Sequence, residues 1–306
     1  METLYVTHPL CRLHEMGEWH PECPARLDAI NDQLIAGGLL DFLSEVRAVP
    51  ATREQVLRVH SPGYLDYLQS HSPRNGYFAI DPDTSMNPHS LAAAWAAAGA
   101  GITAADAIMA GRAGTAFCAV RPPGHHACRD QAMGFCFFNN VAVAVAHCLH
   151  VHNLERVAII DFDVHHGNGT EAAFAGDPRV LMCSFYQHPL FPGTRGSGAD
   201  NMVNVPVDAY SRGPEIRQVV SDIWLPRLQA FKPEFIFISA GFDAHRDDDL
   251  AQLGLVESDY DWITRQVVAQ ADASAQGRIV SLLEGGYDPG ALGRSAAAHI
   301  RALAKL

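Results

Sequence analysis

No Cys-x-x-Cys pair occurs in this sequence, and its seven cysteines (Cys11, Cys23, Cys118, Cys128, Cys136, Cys148, Cys183) are odd in number and scattered. That argues against both a disulfide framework and a thiolate zinc site, so reduced thiols and a cytoplasmic setting are expected. Basic charge is scarce too: 22 Lys and Arg stand against 34 Asp and Glu, a formal net charge of −12. A nucleic-acid footprint needs a basic stripe, so no nucleic-acid partner is expected. An acidic surface favours cationic ligands such as lysine-bearing peptides or polyamines. No uninterrupted apolar run approaches the roughly 18–20 residues of a membrane span. The opening METLYVTHPL lacks a basic segment followed by a long apolar one, and no membrane partner is expected.

Internal repeats, low-complexity linkers and blocks of like charge are also missing. With nothing to divide it, the chain is expected to form a single domain over residues 1–306, a length that one large α/β core absorbs. Its 48% hydrophobic content is enough for a sizeable core.

What the sequence does contain is a rhythm. Arg156–Asp161, Val180–Phe185, Phe235–Ala240 and Arg278–Leu283 are short, near-continuous apolar runs bounded by turn residues, and Ala116–Val120 is similar. Such runs predict strands buried on both faces, hence a parallel sheet. Helix-like stretches lie between and around them: Ser90–Arg112, Val141–His152, Gly169–Phe174, Pro214–Ala230, Ser258–Ala273 and Pro289–Lys305. Alternation of this kind is the signature of a doubly wound α/β fold. The region from His8 to His89, dense in Pro, His and Gly, predicts loops with short helices.

Ligands of an open parallel sheet bind at the carboxyl ends of its strands. There the sequence places Arg121–His126, Asp161–His166, Ser184, Gly241–Asp243 and Glu284–Tyr287. Residues two apart in an extended segment point to one side, so Asp163 and His165 can share an ion; Asp161 has the same parity but sits nearer the strand. Asp243 would complete an Asp-His-Asp site, and three protein ligands with an open position are the pattern of catalytic zinc. His125 and His126, after the stiff Pro122-Pro123-Gly124 turn, offer two imidazoles suited to proton transfer. Asp161 and Asn168 are placed to orient one each; a carboxylate holds its partner more cationic than an amide does. Tyr287 could donate a hydrogen bond to a developing oxyanion. Phe135 and Phe191, in glycine-flanked loops, read equally as core or as walls of a narrow channel.

Taken in order, His20-Pro21-Glu22 with Pro24 and Arg26, RPPGHH (121–126), GFCFFNN (134–140), IDFDVHHGNGT (160–170), FPGT (191–194), SAGFDAH (239–245) and LEGGYD (283–288) resemble the arginase-deacetylase superfamily. Within it they are similar to class II-like histone deacetylases and bacterial histone-deacetylase-like amidohydrolases. The resemblance implies a three-layer α/β fold with a central eight-stranded parallel sheet and long active-site loops. It implies zinc at Asp163, His165 and Asp243, with His125 paired to Asp161, His126 to Asn168, and Tyr287 as the oxyanion-stabilising tyrosine. It also implies Phe135 and Phe191 as walls of an acyl-lysine tunnel, Gly134 near its floor, and Arg26 in a channel for acetate release. A potassium site is implied at Asp161, Asp163, His165, Ser184 and Phe185, and a second one near Phe174 and Val180. Leu250 falls at a gatekeeper position where an acidic residue favours acetylpolyamines, and Asp83 in a rim loop that holds the substrate backbone.

The function so implied is zinc-dependent removal of acetyl or short acyl groups from lysine side chains of a peptide or protein; the alternative is deacetylation of an acetylpolyamine or another small amide. Iron could replace zinc, since an Asp-His-Asp site discriminates weakly. A two-manganese amidinohydrolase needs an Asp-Ala-His-x-Asp run, whereas Val164-His165-His166 stands here. A catalytically silent module that binds acylated ligands is the remaining class, and a homo-oligomer is compatible with the loop-rich rims of this superfamily.

Overall fold

Segments with no polar face can be satisfied only between two layers of helix, and the apolar runs here behave that way. The computed structural model describes residues 2–306. Its strands are Thr3–Thr7 (β1), Leu43–Arg47 (β2), Phe78–Ala79 (β3), Ser85–Met86 (β4), Thr115–Cys118 (β5), Val157–Asp161 (β6), Val180–Gln187 (β7), Met202–Val207 (β8), Phe235–Ala240 (β9) and Ile279–Leu283 (β10). Every residue of β5, β6, β7, β9 and β10 is buried. Eight strands form one sheet in the order β2-β1-β5-β10-β9-β6-β7-β8, parallel throughout. β3 and β4 form a separate antiparallel hairpin.

The helices are Ala25–Ala36 (α1), Arg53–Val56 (α2), Pro62–His71 (α3), Ser90–Met109 (α4), Asn140–Val151 (α5), Asn168–Phe174 (α6), Gly213–Val219 (α7), Leu225–Phe231 (α8), Glu257–Ser274 (α9) and Pro289–Leu303 (α10). One layer packs α1, α10 and α9 in succession, and another packs α4 against α5, with the sheet between them. The single helix expected over Pro214–Ala230 is instead α7 and α8 joined by a π-helical turn at Val220–Trp224, next to Pro226, which lacks a backbone donor.

Helix α4 is by length and composition apolar enough to cross a membrane, although Thr103 and Asp106 interrupt its apolar run. Its apolar window is 72% buried, and it packs on α5 and the sheet as a core helix. The region from His8 to His89 holds short helices as expected, and also β2 and the β3–β4 hairpin, which the composition concealed.

Candidate active site

Five strands that are contiguous in the sheet, β5, β10, β9, β6 and β7, end on the same edge. The register sets Asp161, the last residue of β6, opposite Ser239 of β9 and Ser184 of β7. Beyond these ends the chain turns, and the polar residues singled out by sequence meet.

Asp163, His165 and Asp243 place one donor atom each within 4.8 Å of one another. The His165 Nδ1 lies 3.0 Å from Asp163 Oδ1 and 3.1 Å from Asp243 Oδ2. Each carboxylate is aimed by a backbone amide: Gly285 N donates to Asp163 Oδ2 at 2.9 Å, and Val164 N to Asp243 Oδ1 at 2.9 Å. The buried Asp243 Oδ2 has no hydrogen-bond partner of its own. Gly241 and Gly285 line this cradle so closely that a Cβ on either would collide with the Asp163 or Asp243 carboxylate. Burial works against an imidazolium at His165, yet the two carboxylates outweigh it and push its pKa up to about 10. Two buried carboxylates and one imidazole, with an unpartnered oxygen among them, therefore favour a cation and fit zinc by donor type.

Adjacent to this cluster, the His125 and His126 rings lie 4.0 Å apart between centroids. His125 Nδ1 is 3.0 Å from Asp161 Oδ2, and His126 Nδ1 is 2.7 Å from Asn168 Oδ1. Burial disfavours the charged form of both. At His125 the Asp163 and Asp161 carboxylates overcome burial and raise the pKa well above the usual value. At His126 burial is joined by the neighbouring His125 and His165, and the pKa falls well below it. Two neighbouring imidazoles thus hold opposite protonation preferences. Asn168 opens α6, and the His125 carbonyl accepts from Gly169 N and Thr170 N, which locks the His-His turn onto that helix.

Two residues to which the sequence assigned no role hold this edge in place. Glu284 Oε2 accepts from Gly124 N at 2.6 Å and His125 N at 3.1 Å, while Ser239 Oγ donates to Oε1 at 3.2 Å. Burial pushes its pKa up to about 7. Asp248 Oδ2 accepts from Tyr287 N at 2.6 Å and Asp288 N at 3.2 Å, and its Oδ1 from Leu250 N at 3.1 Å. One carboxylate thereby ties the tyrosine loop to the loop of Leu250. Burial, then Asp243, keeps the Tyr287 phenol well above its usual pKa, so its proton stays available for donation. Arg26, fully buried, donates to Gly286 O at 2.6 Å and Glu284 O at 2.5 Å, and its guanidinium lies 4.9 Å from the Tyr287 ring centroid. It underpins the tyrosine loop, and Glu22 ties it to Arg121.

Neither of the two aromatic side chains is fully buried in the core. Phe191 is 39% exposed and meets His126 edge-on at 5.1 Å; Phe135 is half-buried, 5.7 Å from Tyr287 and 4.6 Å from His20. Gly134 and Phe135 both adopt positive φ, +55° and +68°. A side chain at Gly134 would run into His126 and Phe191. Phe135 N donates to Thr84 Oγ1, and Thr84 Oγ1 donates to Asp83 Oδ1 at 2.9 Å, which fastens the Asp83 loop to the wall. Asp83 is exposed on the rim, as is Leu250 at 36%. The Phe191 loop is anchored by His166 and Glu171, to which the sequence assigned no role. His166 Nδ1 meets Thr194 Oγ1 at 2.6 Å, its Nε2 lies 2.8 Å from Glu171 Oε2, and Glu171 also accepts from Ser197.

Of the residues tied to potassium, Asp161 and Ser184 face each other in register. The Ser184 hydroxyl is directed to Asn204 Oδ1 at 2.9 Å, and Phe185 stacks on Trp224. Near Phe174 and Val180, the Asn201 Nδ2 donates to the carbonyls of Phe174, Asp177 and Val180 at 2.8, 3.0 and 2.9 Å. Those three carbonyls thus converge on one side-chain amide.

Known proteins resemble this chain in sequence and fold. The histone deacetylase domain matches residues 20–303. The histone deacetylase-like amidohydrolase of Pseudomonas aeruginosa is 38% identical over 276 residues, 88% of this chain and 72% of its own length. A probable deacetylase of Archaeoglobus fulgidus is 38% identical over 296 residues, 94% of this chain and 82% of its own. The crystal structure of the HDA15 HD domain covers 99% of this chain and 90% of its own, with a TM-score of 0.93 at 34% identity. The domain match over most of the chain, these relatives and the shared eight-stranded sheet show that the chain belongs to the histone deacetylase family.

Proposed function

We propose that this chain is a zinc-dependent amidohydrolase that removes acetyl or short acyl groups from lysine side chains. The observation that carries the reading is the pairing of two adjacent imidazoles, one oriented by the Asp161 carboxylate and one by the Asn168 amide, beside the Asp163, His165 and Asp243 cluster. Zinc held by those three residues would supply a Lewis acid for the amide carbonyl and a lowered pKa for the attacking water. His126, neutral and oriented by Asn168, takes the proton of that water at its Nε2. His125, kept protonated by Asp161, holds positive charge beside the developing negative charge and supports proton delivery to the departing amine. Tyr287 donates its phenolic hydrogen to the carbonyl oxygen as charge builds there. Phe135 and Phe191 enclose the methylene stem and keep water from it, while Asp83 and Leu250 meet the rest of the substrate at the rim.

Leu250 also favours acyl-lysine over acetylpolyamine, because an apolar rim residue offers no counter-charge for a second ammonium. We assign a structural potassium to Asp161, Asp163, His165, Ser184 and Phe185, where it would brace the ends of β6 and β7. The test is side-by-side hydrolysis of an acetyl-lysine peptide, N-acetylputrescine and N-acetylspermidine by zinc-loaded protein, with Asp243→Ala as the blank. Peptide turnover that vanishes in the blank is expected. Preferential turnover of the polyamines would overturn the lysine assignment, and equal turnover by the blank would overturn the site.

A further inference from the structure

A second cluster of imidazole and carboxylate lies outside this edge, where α4 and α5 end. Asp106 occupies the last turn of α4, His147 the last turns of α5, and His152 is the residue that caps α5. Asp106 Oδ1 is 2.9 Å from His147 Nε2 and 2.7 Å from His152 Nε2. The three donor atoms fall within 4.8 Å of one another, as do those of Asp163, His165 and Asp243. The two imidazole planes stand 75° apart, so their ring nitrogens converge on one point from different directions. Side-chain exposure is 6% for His147, 21% for His152 and 44% for Asp106, which leaves one side open to water.

We propose that Asp106, His147 and His152 form a second metal site, for a divalent ion of the zinc type, that staples the ends of α4 and α5 together. Two imidazole nitrogens and one carboxylate oxygen are donors for borderline transition-metal ions rather than for calcium or magnesium. Zinc at about 2.0–2.1 Å from each donor sets neighbouring donors roughly 3.3 Å apart, so small side-chain rotations open the present spacing. Both helices present their negative dipole ends here, which adds to the attraction for a cation.

A competitor stands beside the site. The Arg58 Nη1 lies 3.3 Å from His147 Nδ1, and its Nη2 pairs with Glu54 at 3.2 Å. Metal capture requires His147 to carry its proton on Nδ1, facing Arg58, so the guanidinium must turn toward Glu54. Arg58 therefore opposes the ion both by charge and by donor geometry.

Full-length protein stripped of metal and titrated with zinc chloride, with bound zinc counted by mass spectrometry, tests this. Two zinc equivalents per chain are expected in the native protein. The double variant Asp106→Asn/His152→Ala should lose one of them and keep its deacetylase activity, which shows it folded. Asp243→Ala should lose the other. Arg58→Ala should bind the outer zinc at least about threefold more tightly, from relief of a screened charge. If zinc uptake in the double variant equals that of the native protein, the site does not exist. If Arg58→Ala weakens uptake or leaves it unchanged, the ligand arrangement is wrong.

Discussion

The floor of the candidate active site and its rim are built by different means. On the floor, Asp161, Asp163, Asp243 and Glu284 are buried at or just beyond strand ends, and each accepts from a backbone amide, Asp161 from its own loop and the other three from neighbouring ones. On the rim, Asp83, Phe191 and Leu250 are exposed, and their loops are held by side-chain ties such as Thr84, Thr194 and Asp248. A sheet edge fixes atoms to the tolerance that bond-making needs, whereas tethered loops tolerate exchange. The contrast assigns chemistry to the floor and choice of substrate to the rim, and substitutions in the two regions should differ in which kinetic constant they change.

The largest effect is expected at Tyr287. Tyr287→Phe removes one donor aimed at developing charge and should lower kcat about 10²- to 10³-fold with zinc content unchanged. Steady-state rates together with metal analysis check this, and near-native turnover would remove Tyr287 from the floor. Asp248 comes next, because it ties the tyrosine loop to the rim without facing the reaction itself. Asp248→Asn puts an amide donor against backbone N–H groups at Tyr287, Asp288 or Leu250. It should lower kcat roughly 10- to 100-fold through misplacement of Tyr287, with KM changing far less. A change confined to KM would class Asp248 with the rim.

The same division explains what could be read from sequence. Strands β5, β6, β7, β9 and β10 are central and buried on both faces, so each shows as an apolar run. The edge strands β2 and β8 are only partly buried, and Pro206 sits within β8, where an edge tolerates the missing donor. Their sequences LSEVR and MVNVPV therefore carry no continuous apolar signal. Asp163 and His165 were legible because an i, i+2 spacing is local. Glu284 and Asp248 were not, because what they do is accept from amides 160 and 39 residues away. Position at a strand end was the one available hint for Glu284. His166 adjoined a legible motif, but its partners Thr194 and Glu171 gave no sign of it.

Asn168 offers a way to change the floor without displacing it. Asn168→Asp keeps an oxygen acceptor for His126 Nδ1 but adds negative charge, which stabilises the imidazolium and raises the His126 pKa. A base must be neutral to accept a proton, so the acid limb of kcat/KM should move to higher pH, by about one unit. The loss approaches about tenfold only at pH values below the native limb, which lies well under the usual imidazole range, and rates above pH 8 stay within about threefold of native. An acid limb that stays put would show that His126 is not the group titrating there.

Substitutions at the rim should act on binding instead. Phe191→Ala removes one wall beside His126 and should raise KM for an acetyl-lysine peptide about fivefold while kcat holds, since the lost contact is equally present before and during reaction. The smallest effect is expected at Leu250. A carboxylate there gains only the screened attraction of an exposed charge, so Leu250→Glu should shift the ratio of kcat/KM values toward N-acetylspermidine by roughly two- to fivefold. If that ratio is unmoved while kcat falls, Leu250 serves the floor through the hydrogen bond its backbone N–H donates to Asp248, and the boundary between the two regions must be drawn outside it.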